Sequence, residues 1–203
     1  MNRLNGADDR VYYLCSRCML ISVDSRYFLS VDDERARYET HNNTIENEGY
    51  VTFLNRIIKP MLEFITPGMI GVDYGCGPGP TLSQLVRRAG IECDDYDPIF
   101  YPGQLRTQYD FIFCTETFEH FFYPKQEIEK ISTLLVPGGF LGVMTELWGS
   151  VKQFETWYYT RDPTHVSFYH RDTFDYICQT AGFVKRYSDD KRVIVLEKVI
   201  DKI

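Results

Sequence analysis

Nowhere in its 203 residues does the chain string together the roughly 20 apolar residues that a membrane span requires. The segment Met1 to Arg10 is polar and holds no apolar signal core, so secretion is not expected. Positive charge is also scarce: 22 Lys and Arg stand against 29 Asp and Glu, a formal charge of −7. Proteins that live on phosphate contacts show the opposite balance, so nucleic acid is a poor partner. Internal repeats and low-complexity runs are absent. Of the six cysteines (Cys15, Cys18, Cys76, Cys93, Cys114 and Cys178), four lie in apolar or strand-like contexts, where a free thiol behaves as a small hydrophobe. That usage suits a reducing compartment, and the expected location is cytoplasmic.

What remains is the composition of one globular domain with a short extra segment, 44% apolar and 25% charged, enough to bury a full core. Residues 1–48 read as an irregular N-terminal segment with one short apolar stretch around Cys18 to Val23. From Tyr50 a helical period begins, with Phe53, Leu54, Ile57, Ile58, Met61 and Ile65 on one face. Pro60 should kink or interrupt it, and Thr66-Pro67-Gly68 breaks the chain. A strand from Met69 to Tyr74, a helix closed by Gly90, a weaker strand to Tyr96, a strand from Tyr109 to Cys114, a helix opened by Pro124 and a strand from Phe140 to Thr145 follow. Such alternation implies parallel strands joined by crossovers, hence a doubly wound α/β fold. After a helix from about Asp172 to Gly182, the link Ser188 to Lys191 is too short for a crossover, so the last two strands must form an antiparallel hairpin.

The first strand runs into Asp73-Tyr74-Gly75-Cys76-Gly77-Pro78-Gly79-Pro80. A glycine-rich turn here lets backbone approach a ligand that side chains would exclude, although a plain tight turn also fits. Pro80 stands where a dinucleotide fingerprint wants glycine, which argues against NAD or FAD. Asp97 lies at the expected end of the second strand, where a carboxylate can accept ribose hydroxyls; alone it could equally be a turn aspartate before proline.

Val72 to Gly79 resembles motif I of the class I S-adenosylmethionine-dependent methyltransferases, of the ubiquinone-biosynthesis and methyltransferase-domain-23 kind. Tyr109 to Glu116, continuing through Thr117-Phe118-Glu119-His120, is similar to their motif IV. Leu134-Leu135-Val136-Pro137-Gly138-Gly139-Phe140 is similar to the turn before their fifth strand. The resemblance spans about residues 48–198, which makes 49–203 the methyltransferase domain. It implies S-adenosyl-L-methionine as cofactor, with Gly75, Gly77 and Gly79 under its methionine part beside Asp73 and Tyr74. Asp97 would hold the ribose, and Cys114, Thr115 and Glu116 would line the mouth. Tyr50 or Tyr38 could cover the cofactor. One departure stands out: eleven residues separate Asp97 from Tyr109, so the family's third strand and its helix should be shortened or absent.

Methyl transfer needs alignment of a nucleophile, and a base only where the acceptor must lose a proton. Glu116, Glu119 and His120 fall at i, i+3 and i+4, one helical face, and His165 lies in an aromatic segment, Trp148 to Tyr169, that could form a lid. Glu119, His120 and His165 are therefore the catalytic candidates on a small-molecule acceptor. The same set resembles the metal ligands of small-RNA 2′-O-methyltransferases; a pocket or base role is preferred, and no metal is expected. A non-catalytic binding protein on the same fold is the other reading, which the intact motif I disfavours. Cys15 and Cys18 have the spacing of half a zinc ribbon, and His41 alone cannot complete it, so a metal-free remnant is expected.

Overall fold

The structure is a computed structural model and describes residues 1–40 and 43–199; His41 lies outside the described residues. Strands β1 (Asn2–Asn5), β2 (Val11–Leu14) and β3 (Ile21–Val23) form an antiparallel meander. Helix α1 (Val31–Tyr38) follows, capped by the Ser30 hydroxyl on the Asp33 N–H and favoured by Asp32, Asp33 and Glu34 in its first turn. Helix α2 (Glu48–Met61) is capped by Asn47 and buries Leu54, Ile57, Ile58 and Met61. Pro60 falls in its last turn, and the helix ends one residue later, short of Ile65.

The alternating part follows in the expected order, with the last strand starting at Leu135 and not at Phe140: β4 (Ile70–Tyr74), α3 (Thr81–Arg88), β5 (Glu92–Tyr96), β6 (Tyr109–Thr115), α4 (Pro124–Leu134) and β7 (Leu135–Met144). A short helix, α5 (Val151–Phe154), leads to a two-residue strand, β8 (Ser167–Phe168). Helix α6 (Arg171–Ala181) and the hairpin β9 (Phe183–Ser188) and β10 (Val193–Lys198) complete the chain. The large sheet has the order β5-β4-β6-β7-β10-β9. Strands β5, β4, β6 and β7 are parallel, and β10 enters antiparallel between β7 and β9. At the β5 edge the expected third strand is absent among the described residues. Asp97 instead bridges to Tyr101, and the chain turns directly toward β6.

Alternation along β6 divides the core. Phe111 and Phe113 pack with α2 and α3, while Ile112 and Cys114 pack with α4 and α6 on the opposite face. Both faces are thus covered, as a parallel sheet requires.

The N-terminal segment is not irregular. Its three strands join β8 into a second antiparallel sheet, β1-β2-β3-β8, with Ile21 opposite Phe168. Tyr12, Ile21, Phe154, Tyr159 and Phe168 form its buried core. The aromatic segment expected to be a lid is therefore mostly interior: of Trp148, Phe154, Tyr159, Phe168 and Tyr169, none is more than 4% exposed. No helix among the described residues is long and apolar enough to cross a membrane.

Candidate functional site

At the C-terminal ends of the parallel strands lies an open cleft of about 610 Å³, the size that holds a cofactor or drug-sized ligand. Its floor is the turn after β4. Gly75 has φ 85° and a Cβ there would run into the Thr117 side chain, so only glycine fits. Its N–H donates to the Tyr96 carbonyl at 2.8 Å, tying the turn to β5. Gly77, with φ 62°, faces open space and donates its N–H to Asp97 Oδ2 at 3.1 Å. Asp97 Oδ1 accepts from the N–H groups of Ile99 and Phe100 at 2.8 and 3.0 Å. The carboxylate is thereby fixed beside the glycine turn with Oδ2 toward the cleft floor.

Tyr74, Gly75, Gly77, Asp97, Thr115, Glu116, His120 and His165 all line this cleft. Three of the expected cofactor residues do not. Asp73 is enclosed behind the turn, where burial and the charges of Asp95 and Asp97 push its carboxyl up to about 8. Gly79 packs against the Asn43 carbonyl, which also accepts from the Thr81 hydroxyl at 2.8 Å. Cys114 is fully buried in the α4/α6 layer, because the pleat of β6 turns it away; Thr115 takes the wall position in its place. The Thr115 Oγ1 is buried and has no hydrogen-bond partner among the described residues. Tyr38 and Tyr50, the two candidates for a cover, both line the cleft.

Glu116, Glu119 and His120 are brought together, but not by a helix. Glu116 has φ 49°, and a single 3-10 turn, Phe118–His120, carries the other two. Tyr159 closes the group: its hydroxyl donates to Glu119 Oε1 and lies 3.4 Å from Glu116 Oε2. Burial and the neighbouring Glu119 push the Glu116 carboxyl up, against the pull of Arg192, whose Nη1 lies 2.9 Å from Glu116 Oε1. Glu119 is fully buried and is likewise pushed up by burial, with Tyr159 opposing. The two histidine rings stand 4.9 Å apart. Burial lowers His120 to about 4 and His165 to about 3, so both are neutral at pH 7.

Sequence reasoning missed two contributors. Glu34 of α1 reaches the cleft beside Asp97, and burial with the Asp97 charge pushes it up to about 7. Arg10 donates to the carbonyls of Thr160, Asp162, Pro163 and His165, anchoring the loop that carries His165. Neither position carries a motif; Glu34 looks like one more acidic residue in a capped first turn.

A family profile described as "Methyltransferase domain" matches residues 46–187. The chain belongs to that family. It is an S-adenosylmethionine-dependent methyltransferase. Among solved structures it is similar to human N-acetylserotonin methyltransferase, at TM-score 0.62 and 12% identity, over 84% of this chain and 57% of that one. It is also similar to a protein from Galdieria sulphuraria described as a sarcosine dimethylglycine methyltransferase, at TM-score 0.55 and 14% identity over 77% and 88% of the two chains. A Bacillus halodurans protein described as a methyltransferase aligns over 71% of this chain and 99% of its own, at TM-score 0.52 and 11% identity. At such identities the likeness is one of fold. No curated protein matches the methyltransferase chain. The cleft fits the family's cofactor: a glycine turn that leaves backbone open, a fixed carboxylate beside it, and the orphaned Thr115 hydroxyl on the wall.

Proposed function

We propose that this methyltransferase acts on a small-molecule acceptor, neutral or cationic, bound in the cleft between the glycine turn and the His120–His165 wall. The observation that carries this reading is the charge of the lining. Glu34, Asp97, Glu116 and Glu127 are acidic, and Lys130 is the single cation among the lining residues. A polyanion such as RNA would find only one cation to meet it there, whereas a compact neutral or cationic molecule needs none.

In this reading Gly75 and Gly77 accept the amino-acid part of S-adenosylmethionine, Asp97 orients the ribose hydroxyls, and Tyr74 and Thr115 border it. When bound, the cofactor supplies a methyl group already activated by its sulfonium. The chain's own part is to align and to exclude water. Tyr38, Tyr50 and Phe53 provide apolar cover. His120 and His165, both neutral, shape the acceptor side of the cleft. Glu119 lies behind them, held by the Tyr159 hydroxyl. Asp73, Gly79 and Cys114 hold the turn and the core without touching ligand.

Residues 1–48 and 49–203 divide by sequence, yet α1 supplies Glu34 and Tyr38 to the cleft, so we treat the two as one working unit. A cytoplasmic location is proposed from the six unpaired thiols. The test is calorimetry with S-adenosylhomocysteine, NAD and FAD, followed by a screen of amines and phenols with labelled cofactor. Binding of the thioether alone and transfer to a small acceptor are expected. Transfer to RNA with no small acceptor would refute the proposal.

A further inference from the structure

On the inner wall of the cleft, three side chains with free ligand atoms come together. His120 Nδ1 lies 3.1 Å from the Thr164 carbonyl oxygen, and His165 Nδ1 lies 2.8 Å from that of Tyr159. A carbonyl can only accept, so each Nδ1 carries the ring proton and each Nε2 is left as a bare acceptor. Glu119 is wholly buried; Tyr159 donates to its Oε1, and Oε2 has no partner among the described residues. One ligand atom from each of Glu119, His120 and His165 lies within 4.8 Å of the other two. A buried carboxylate oxygen without a donor is rare in folded proteins, and two imidazole lone pairs beside it do nothing to satisfy it.

We propose that Glu119, His120 and His165 bind one divalent first-row transition ion, of the zinc or manganese kind, in the wall of the cleft. Two imidazoles and one carboxylate are the donor set of catalytic sites that keep an open position. Around such an ion neighbouring donors sit about 3–3.5 Å apart, so the rings close inward by about an ångström on loading. The outer contacts already set the ligands: the Thr164 and Tyr159 carbonyls fix both tautomers and the Tyr159 hydroxyl fixes the carboxylate. Arg10 in turn holds the loop that supplies those carbonyls. The expectation of a metal-free face leaves Oε2 without an explanation; a cation supplies one. The open position faces the cleft, and an acceptor oxygen is the ligand it would take; that clause alone rests on the small-molecule reading above.

The experiment is a titration of chelator-stripped full-length protein with cobalt(II), read by its visible ligand-field bands, with zinc as competitor. One cobalt per chain is expected, displaced by zinc and lacking the near-ultraviolet band of thiolate ligation. Affinity should fall about 100-fold in Glu119→Gln and His165→Ala, with His165→Gln as the bulk-preserving variant should the alanine unfold, and should not change in Cys15→Ser. No binding by the parent protein, or a thiolate band that disappears in Cys15→Ser, would overturn the site. Calorimetry with S-adenosylhomocysteine on the same samples keeps the two readings apart. Cobalt bound without the thioether would leave this site standing and remove the proposed cofactor cleft, and the reverse result would do the opposite.

Discussion

The large parallel sheet lines the cleft, whereas the small antiparallel sheet holds the loop that brings His165 to it, and the two are built by different means. In the large sheet, β4, β5 and β6 lie side by side, and each link between them is local: a glycine turn, a helix, an aspartate turn. In the small sheet, β1 to β3 find their fourth strand in β8, and the loop beside it is held by Arg10 across 155 positions of sequence. One sheet is written in motifs, the other in distant packing. The lesson is that cofactor binding and acceptor-side geometry should be separable by mutation, although they meet in one pocket.

The largest separation should come from Phe168→Ala. This side chain is fully buried in the small sheet's core, and its removal should cost about 3–5 kcal/mol of stability. Calorimetric affinity for S-adenosylhomocysteine should stay within a few-fold of the parent below the melting transition. A parallel collapse of cofactor binding would mean that the two sheets are a single cooperative unit. Asp97→Ala should do the reverse, weakening cofactor binding by about 1.5–3 kcal/mol with charge-assisted bonds lost. Hydrogen exchange of β1 to β3 should not change; rapid exchange there would show that the turn also supports the small sheet.

Arg10→Lys is a milder break on the small-sheet side. A lysine cannot reach four carbonyls in the fork geometry of a guanidinium, and the fold should lose about 1–2 kcal/mol. Turnover should fall more than cofactor affinity, because the loop bearing His165 loosens. Equal losses in both would assign Arg10 to global stability alone.

The most gradual effect is spread over pH and concerns two buried carboxyls near the glycine turn. Asp73, raised from 3.8 to about 8, and Glu34, raised from 4.5 to about 7, keep protons in the fold that the unfolded chain has released. Their stabilisation is present below the unfolded values and is lost as pH rises toward 7 and 8. His120 and His165, lowered from 6.5 to about 4 and about 3, act oppositely and only on acidification below about 6.5. Between pH 6.5 and 8 the ligand-free protein should therefore lose thermal stability as pH rises, by at most about 1.4 kcal/mol per group per unit. Asp73→Asn should flatten that slope. A melting temperature that climbs over the same range would show that these carboxyls are ionised in the fold.

The sequence disclosed the parallel sheet, the missing third strand, the terminal hairpin and the glycine turn, because each depends on residues close in sequence. It misplaced Cys114, since one step along a pleated strand exchanges core for wall and the boundary of β6 decides which. It assigned Glu116, Glu119 and His120 to a helical face, whereas a left-handed Glu116 and one 3-10 turn gather them. It read an aromatic lid in Trp148 to Tyr169, because nothing in that stretch announces that Tyr12 and Ile21 will cover it. The small sheet escaped for the same reason: strands of three or four residues carry too short a pattern to register, and their partner lies far downstream.

That distant pairing orders events in time. During synthesis β1 to β3 emerge long before β8, yet the partner of Ile21 is Phe168, and the carbonyls that Arg10 binds belong to residues 160–165. Loop closure over such a span is slow compared with the local β4-to-β7 windings, whose contacts form within their own neighbourhood. These three strands must wait with an open edge until β8 has followed, and chaperone demand should fall on that interval. The loop that brings His165 to Glu119 and His120 is thus fixed later than the β6 end that carries those two.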